Sequence, residues 1–220
     1  MTKLAIFDCD GTLVDSGGTI HRALRSTFDA HGLDCPPRMV TKKVIGLSLD
    51  EAFALLVPDG DHPALSRTYK DAFFAMRSQG VVEEPLYDGI ADALGAFRRA
   101  GWALGVATGK SRRGLDHCLA AHGIAGHFVT LQTADNHPSK PHPSMVLAAM
   151  AEAASSAAKT VFIGDTAWDM GSALAADCGA IGAGWGYHDE SELRDAGAHD
   201  VALDPAELVA MSELWIGEQG

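Results

Sequence analysis

Residues Leu4–Ser16 read LAIFDCDGTLVDS, and this stretch decides how the rest of the chain is interpreted. An apolar run that stops abruptly at two carboxylates and a Gly-Thr pair is typical of a buried strand that delivers acids to its carboxyl end. Side chains at positions i and i+2 of a strand share a face, so Asp8 and Asp10 are expected to lie together. Because two like charges repel, the pair needs a cation or a shared proton. Asp10-Gly11 taken alone would favour an ordinary turn.

Apolar runs alternate with helical segments along most of the chain, which predicts an α/β fold. Buried strands are predicted at Leu4 to Asp8, Ala103 to Thr108 and Thr160 to Asp165, with weaker candidates at Phe128 to Leu131 and Gly179 to Ala183. Alanine-rich helical segments lie between and after them, at 88–100, 111–122, 143–157, 167–177 and 204–215. This alternation predicts a Rossmann-like, mainly parallel sheet with helices on both faces. Ligands of such sheets bind beyond the carboxyl ends of the strands.

The segment between the first two strands is predicted to be an inserted, all-helical cap. It contains no convincing buried strand, and helical periodicity covers 19–31, 48–57 and 62–79. Gly32 and Gly80 stand where helix C-caps are expected, and Ser48-Leu49-Asp50-Glu51 has the form of a capping box. The alternative is an elaborate βα connection, but a helical stretch of this length should have its own core. The predicted domains are a discontinuous core of residues 1–16 and 86–220 and a cap of residues 17–85.

Further polar residues follow two predicted strands and occupy one loop. Thr108 and Gly109 end the second strand, where the N–H groups of a helix start favour an anion and glycine allows close approach. Asp165 ends a later strand, with Asp169 four residues beyond it. Lys140 stands alone in a Pro-rich loop, where by itself it would be taken for a solvated surface lysine. Because the carboxyl ends of parallel strands meet at one edge, we expect these residues to join the first acid pair.

The residue types in this constellation suit a metal ion and a phosphoryl group. Asp8, Asp10 and Asp165 offer the hard oxygen ligands that Mg²⁺ prefers. Thr108 and Lys140 offer hydrogen bonds and positive charge to phosphoryl oxygens. Phosphoryl transfer needs this combination of positioning and charge neutralisation. A carboxylate can also be the nucleophile and form an acyl phosphate.

The same residues carry a family resemblance. The chain resembles the haloacid dehalogenase (HAD) superfamily of phosphohydrolases, in the branch (subfamily IA) with a helical cap after the first strand. Asp8-Cys9-Asp10-Gly11-Thr12 matches its first motif, Thr108 the second, Lys140 the third, and Gly164-Asp165 with Asp169 the fourth. The resemblance covers essentially the whole chain and is closest to the phosphoglycolate phosphatase group.

The resemblance implies a mechanism for these positions. Asp8 attacks phosphorus and becomes an aspartyl phosphate, while Asp10 protonates the leaving alkoxide and later activates the hydrolytic water. Mg²⁺ is expected on the side chains of Asp8 and Asp165 and on the main-chain carbonyl of Asp10. Asp169 is expected to steady Lys140 or a metal-bound water. The expected phosphate-binding residues are Thr108, Gly109 and Lys140. The cap closes over the site and selects the leaving group.

The resemblance implies a small phosphorylated substrate, with 2-phosphoglycolate as the first choice. A phosphomutase that acts on a sugar phosphate stays open, because the core motifs do not separate it from a phosphatase. A dehalogenase and a phosphonate-cleaving enzyme are disfavoured, since those relatives lack the acid at position 10. A nucleotide-binding P-loop is a weaker alternative, because the segment Gly105–Ser111 has three residues between its glycines where that loop needs four. Three cap cations are candidates for substrate contact, although a solvated helix face is the simpler interpretation for each: Arg38, Lys42 and Lys43.

Composition sets the remaining bounds. The 220 residues carry 17 lysines and arginines against 29 acids, a net charge of −12, which argues against a nucleic-acid partner. No signal peptide is evident, and no apolar stretch approaches the roughly 18 residues of a membrane span. The 4 cysteines form no CxxC pair, so a reduced, cytoplasmic setting is expected and Cys9 is expected to point into the core. The sequence leaves the oligomeric state open.

Overall fold

A parallel six-stranded sheet forms the centre of the computed structural model, which describes residues 1–219. The strands are β1 (Leu4–Phe7), β2 (Ala103–Thr108), β3 (Phe128–Thr133), β4 (Thr160–Gly164), β5 (Gly179–Ala183) and β6 (Asp200–Ala202). Their order in the sheet is β3-β2-β1-β4-β5-β6. Phe7 of β1 therefore lies between Val106 of β2 and Ile163 of β4. This order brings the carboxyl ends of three motif-bearing strands together.

Helices connect the strands and form the insert. Four belong to the segment after β1: α1 (Gly17–Ala30), α2 (Arg38–Lys42), α3 (Leu49–Leu56) and α4 (His62–Ser78). The others are α5 (Ile90–Arg99), α6 (Arg112–Ala121), α7 (Ser144–Glu152), α8 (Ala167–Ala175), α9 (Glu190–Asp195) and α10 (Leu208–Glu218). Short 3₁₀ turns lie at Ala125–His127, Ala157–Lys159 and Pro205–Glu207.

Alternate residues of β1 face two different hydrophobic cores. Ala5 and Phe7 belong to a core with side chains of α5, α6 and α10, whereas Leu4 and Ile6 pack in a core with α7, α8 and α9. All four β1 side chains are fully buried. A strand covered on both faces needs apolar residues at every position, which is the pattern that the sequence has here. The prediction of helices on both faces of a parallel sheet is confirmed.

The inserted helices pack around a core of their own. Phe28 of α1, Phe53 of α3 and Tyr69 of α4 are buried together and make edge and tilted ring contacts. The chain enters and leaves this segment through two paired connections. Asp15 N donates to the Pro85 carbonyl at 2.9 Å, and Tyr87 N donates to the Leu13 carbonyl at 3.1 Å. The pairing gives the insert a narrow, two-stranded attachment to the core.

The predicted elements are present with shifted ends, and the structure corrects several details. The helix predicted at 143–157 ends at Glu152, and Ala154 just after it adopts φ 51°. The helix predicted at 204–215 begins with a 3₁₀ turn. Ser48 is the N-cap residue of α3, but its side chain makes no capping hydrogen bond, so the expected capping box is wrong. The elements absent from the prediction are all short: α2, α9 and β6. Within residues 1–219, no helix is both long and apolar enough to cross a membrane.

Candidate active site

Asp8 is the first residue beyond the central strand, and it is completely buried. Its amide donates to the Ile163 carbonyl at 2.9 Å, which fixes the backbone against β4. Neither carboxylate oxygen accepts a well-aligned hydrogen bond from residues 1–219. Burial raises the pKa of Asp8 to about 6, against the lowering effect of the nearby Lys140 ammonium. A buried carboxylate without hydrogen-bond donors is free to bond to something else.

Lys140 supplies the positive charge of the site. It is 2% exposed, and its Nζ lies 2.9 Å from Oδ1 of Asp8 and 2.6 Å from Oδ1 of Asp169. Burial by itself lowers the pKa of a lysine, but the Asp169 and Asp8 carboxylates outweigh it and raise the pKa of Lys140 above its usual value. The sequence leaves open a solvated surface lysine at this position, and the structure places it in the site.

Asp169 is held in place by the start of α8. Its Oδ2 accepts hydrogen bonds from the backbone N and the side-chain hydroxyl of Thr166, at 3.0 and 2.6 Å, which forms a capping box. Its Oδ1 accepts from Lys140. Both oxygens of Asp169 are therefore bonded to protein, and Lys140 is one of the two partners that the family resemblance implies for this acid.

Asp165 follows β4 directly and is also fully buried. Its Oδ1 accepts from the Thr12 hydroxyl at 2.8 Å, and its Oδ2 accepts from Tyr187 N at 2.9 Å. A Cβ at Gly11, where φ is +97°, or at Gly186 would collide with the Asp165 side chain. Burial raises the pKa of Asp165 well above its usual value, and the Asp169 and Asp8 charges add to the effect.

Asp10 has different neighbours from Asp8. Its Oδ1 accepts from the Ser16 hydroxyl and from Lys110 Nζ, each at 2.6 Å. Lys110 Nζ also lies 2.9 Å from Oε1 of Glu84, a residue of the connection that leaves the cap. Burial alone would lower the pKa of Lys110, but Asp10 and Glu84 hold it well above its usual value. The acid pair therefore divides, with one carboxylate beside Lys140 and the other beside Lys110.

Thr108 is the last residue of β2, the strand beside β1, and Gly109 follows it directly. Thr108 is 1% exposed, and its hydroxyl accepts from Lys110 N at 3.2 Å. A Cβ at Gly109 would lie 2.6 Å from the Gly46 carbonyl oxygen and closer still to that of Leu47. The cap loop thus rests directly on the strand end, in a contact that only glycine permits.

The cap is joined to the core by further contacts around the site. Lys43 forms an ion pair with Glu192 at 2.5 Å, and Ser48 N donates to the Ser139 hydroxyl at 2.8 Å. Lys42 Nζ lies 5.6 Å from the ring centre of Tyr187. Of the three cap cations considered as substrate contacts, Lys43 and Lys42 hold the cap on the core and Arg38 lies at a separate groove beside Arg22 and Glu83.

A cavity of about 340 Å³ lies between the cap and the core. Asp10, Gly109 and Lys110 line it from the core, and residues of α1, α4 and the segment 44–52 line it from the cap. Asp10 therefore lines a space between the cap and the core. This position suits a group that transfers a proton to a bound molecule.

The acidic side chains fit a divalent cation. Oxygens of Asp8, Asp165 and Asp169 lie within 4.8 Å of one another. The Asp8 oxygens have no aligned donors, and Lys140 pairs with Asp8 and Asp169 while Asp165 lies close to both acids, which leaves negative charge to be balanced. Oδ1 of Asp169 is paired with the Lys140 ammonium, whereas the Asp165 oxygens accept only from a hydroxyl and a backbone N–H, so Asp8 and Asp165 are the better ligands. Mg²⁺ is bound in proteins by one or two carboxylates together with waters and phosphate oxygens, which matches this set.

Sequence reasoning missed several residues that shape the site: Thr12, Ser16, Glu84, Thr166, Gly186 and Tyr187. Tyr187 and Gly186 belong to the loop after β5, where the strand-end rule could have found them. The segment Gly105–Ser111, which contains Lys110, does not form the P-loop that the sequence left as a weaker alternative. Gly105 lies inside β2, Ser111 caps α6, and the Lys110 ammonium is paired with acids.

Comparison with known proteins agrees with this geometry. Residues 5–183 match the family described as haloacid dehalogenase-like hydrolase. The protein named "Probable phosphatase IndB" from Dickeya dadantii is 35% identical over 204 residues, covering 89% of this chain and 87% of that protein. Phosphoglycolate phosphatase from Photobacterium profundum is 30% identical, covering 92% and 91%. Tyrosine-protein kinase PtkA from Mycobacterium tuberculosis is also 30% identical, and the match covers 84% of this chain but only 63% of the kinase.

Solved structures share the whole architecture. A hydrolase from Pseudomonas syringae superimposes with a TM-score of 0.84 at 24% identity, covering 97% of this chain and 99% of that one. The match extends over the sheet and the inserted helices alike. With motif residues at the ends of three neighbouring strands, Lys140 in the loop before α7, and a family match over most of its length, the chain belongs to the haloacid dehalogenase-like hydrolase family.

Proposed function

We propose that the protein is a Mg²⁺-dependent phosphatase that hydrolyses a small phosphate monoester through an aspartyl phosphate on Asp8. The observation that carries the proposal is that Asp8 and Asp10 have different surroundings. Asp8 lies beside Lys140 with no aligned hydrogen bond to either carboxylate oxygen, while Asp10 lines the cavity beneath the cap. One acid is thus placed to attack phosphorus and the other to serve the leaving group.

In the first step, a carboxylate oxygen of Asp8 attacks phosphorus and the bond from phosphorus to the leaving oxygen breaks. Asp10 donates its proton to the leaving alkoxide, so an alcohol departs. In the second step, water attacks the phosphorus of the aspartyl phosphate, Asp10 takes up a proton from that water, and the bond from phosphorus to the Asp8 oxygen breaks. Inorganic phosphate leaves and both acids return to their starting states. The double displacement explains why two acids with different surroundings are needed.

Thr108, Gly109 and Lys140 are proposed to bind the transferring phosphoryl oxygens. Thr108, the last residue of β2, and Lys140, in the loop before α7, are both buried, and fixed donors act strongly where water is excluded. Asp8 and Asp165, with the main-chain carbonyl of Asp10, are proposed to hold Mg²⁺. When bound, the ion supplies positive charge that neutralises the phosphoryl oxygens and the acidic cluster.

The relatives' names support phosphoryl chemistry and do not choose its substrate. They cover a phosphatase, a phosphoglycolate phosphatase and a tyrosine-protein kinase at similar identities. We therefore treat 2-phosphoglycolate as one of several phosphate monoesters to be tested as substrates. The four free cysteines agree with a reduced, cytosolic setting, which we also propose.

The test is phosphate release from a panel of monoesters, with Mg²⁺ and with EDTA, using Asp8→Asn as the blank. The proposal expects turnover that requires Mg²⁺ and disappears in the blank. Folded protein that releases phosphate from no ester in the presence of Mg²⁺ would overturn it.

A phosphomutase is the second candidate, because the same aspartyl phosphate can pass its phosphoryl group to a sugar hydroxyl. A phosphomutase must keep water away from the aspartyl phosphate, and the close contact of Gly109 with the cap loop helps to close the site. Conversion of a sugar phosphate to its isomer without release of phosphate would establish this activity instead.

A further inference from the structure

The cavity beside Asp10 has a mostly apolar wall. The cap lines it with aromatic and aliphatic side chains, among them Ile20, Leu24, Val44, Leu47, Tyr69 and Phe73. Leu24, Val44, Leu47 and Tyr69 line this cavity and are at most 8% exposed. A volume of about 340 Å³ falls within the roughly 300–1,000 Å³ of sites that hold drug-sized ligands.

The cations deepest in this cavity are already paired with acids. Lys110 lies 2.9 Å and Arg77 3.0 Å from carboxylate oxygens of Glu84, and Lys110 also binds Asp10. Lys70, Arg113 and His117 line only the exposed rim. A carboxylate on the leaving group would have to lie against apolar side chains near two other acids. Burying an unpaired charge in this way is strongly unfavourable.

The position of Asp10 links the cavity to the reaction. The leaving oxygen must lie within hydrogen-bond distance of the acid that protonates it, so the rest of the leaving group extends from Asp10 into the cavity. We propose that the preferred substrates are phosphate monoesters whose leaving group carries a neutral ring, with the ring held between the aliphatic residues of α1 and Phe73 of α4. This inference rests on the proposed phosphatase function. It places 2-phosphoglycolate, whose leaving group is short and charged, among the poor substrates.

The test compares four esters that all release a primary alcohol: cyclohexylmethyl phosphate, benzyl phosphate, ethyl phosphate and 2-phosphoglycolate. We expect kcat/KM for both ring esters to exceed that for both ring-free esters at least tenfold, since each buried methylene adds substantially to binding. Phe73→Ala should reduce this preference several-fold. Leu55→Ala removes an exposed apolar side chain of the same cap outside the cavity and should leave the preference unchanged.

A binding measurement separates this inference from the proposed function. Calorimetry with the Asp8→Asn variant and Mg²⁺ should give a Kd for benzyl phosphate at least tenfold below that for ethyl phosphate. Equal or tighter binding of ethyl phosphate or 2-phosphoglycolate would overturn the inference, as would faster turnover of either. Absence of turnover for all four esters, with the ring preference in binding intact, would overturn the phosphatase function and leave the cavity assignment standing.

Discussion

Lys140 Nζ lies 2.9 Å from Oδ1 of Asp8, and the two side chains are 1% and 0% exposed. Both side chains are buried, so Lys140 is not a solvated surface lysine. Because Asp169 contacts the same ammonium, one cation balances two buried acids. Removing it leaves both carboxylates uncompensated in a low-dielectric interior.

We therefore expect Lys140→Ala to lower the free energy of unfolding by about 3–5 kcal/mol in EDTA, in addition to abolishing turnover. Urea unfolding followed by circular dichroism measures the change. Lys70→Ala, at an exposed position of α4, is the control and should alter stability by less than about 0.5 kcal/mol. A loss at Lys140 no larger than that of the control would show that the ion pairs contribute nothing.

Lys110 is expected to act through Asp10. Replacing it with methionine removes one of the two donors that fix the Asp10 carboxylate and leaves Glu84 buried without its lysine. We expect kcat for an alkyl phosphate to fall roughly 10- to 100-fold, which is part of what general acid–base catalysis contributes. The loss should be much smaller for p-nitrophenyl phosphate, whose leaving group needs little protonation.

Steady-state kinetics on the two esters checks this prediction. Lys110→Arg keeps the charge and should recover part of the alkyl ester activity. Equal losses on both esters would mean that Lys110 supports the fold or the phosphoryl group and does not position the acid. Nucleotide binding that depends on Lys110, with Asp8→Asn harmless, would revive the P-loop alternative.

Gly109 is expected to set how closely the cap approaches the core. In Gly109→Ala, the new methyl group would overlap the carbonyl oxygens of Gly46 and Leu47 and push the cap loop outward. Overpacking of this kind costs about 1–3 kcal/mol, so we expect KM to rise roughly tenfold with only a small change in Tm. Gly126→Ala is the matched control, because a Cβ there meets nothing within 4 Å. An unchanged KM in Gly109→Ala would contradict a closed cap in the substrate complex.

Mg²⁺ is expected to stabilise the protein through the acidic cluster. At about 100 times its Kd, a ligand adds about 2.7 kcal/mol, which for a chain of this size raises Tm by roughly 5–10 °C. Asp165→Asn should lose most of this increase, whereas Asp88→Asn, at an exposed position, should keep it. Thermal unfolding at increasing Mg²⁺ concentrations gives the answer. A full increase in Asp165→Asn would place the ion elsewhere.

The sheet and the strand-end residues could be predicted because their signals are local. β1 is apolar at every position and is followed at once by charged residues, so both its burial and its end are visible in the sequence. Gly32 and Gly80 adopt φ of +66° and +69° after α1 and α4, as expected of helix ends. The three missed elements are short: β6 has 3 residues, α2 has 5 and α9 has 6, too few to show a period.

The strand-end rule indicates the loop after β5, but it does not identify the individual partners of Asp10 and Asp165, because these depend on contacts between distant segments. Glu84 reaches Lys110 only because the two connections of the cap run side by side. Tyr187 N reaches Asp165 from a loop 22 residues further along the chain. Neither the spacing nor the residue type of such partners distinguishes them from surface residues. The apolar wall of the cavity could not be predicted either, because its residues have the same helical spacing as residues that pack in the core of the cap.

The central claim is that Asp8 carries the phosphoryl group, and trapping that group tests it most directly. A radiolabelled substrate is mixed with the protein and Mg²⁺, the reaction is stopped in acid within one turnover, and the labelled peptide is identified by mass spectrometry. We expect the phosphoryl group on Asp8, absent from Asp8→Asn. Label on any other residue, or continued hydrolysis by Asp8→Asn, would contradict the account.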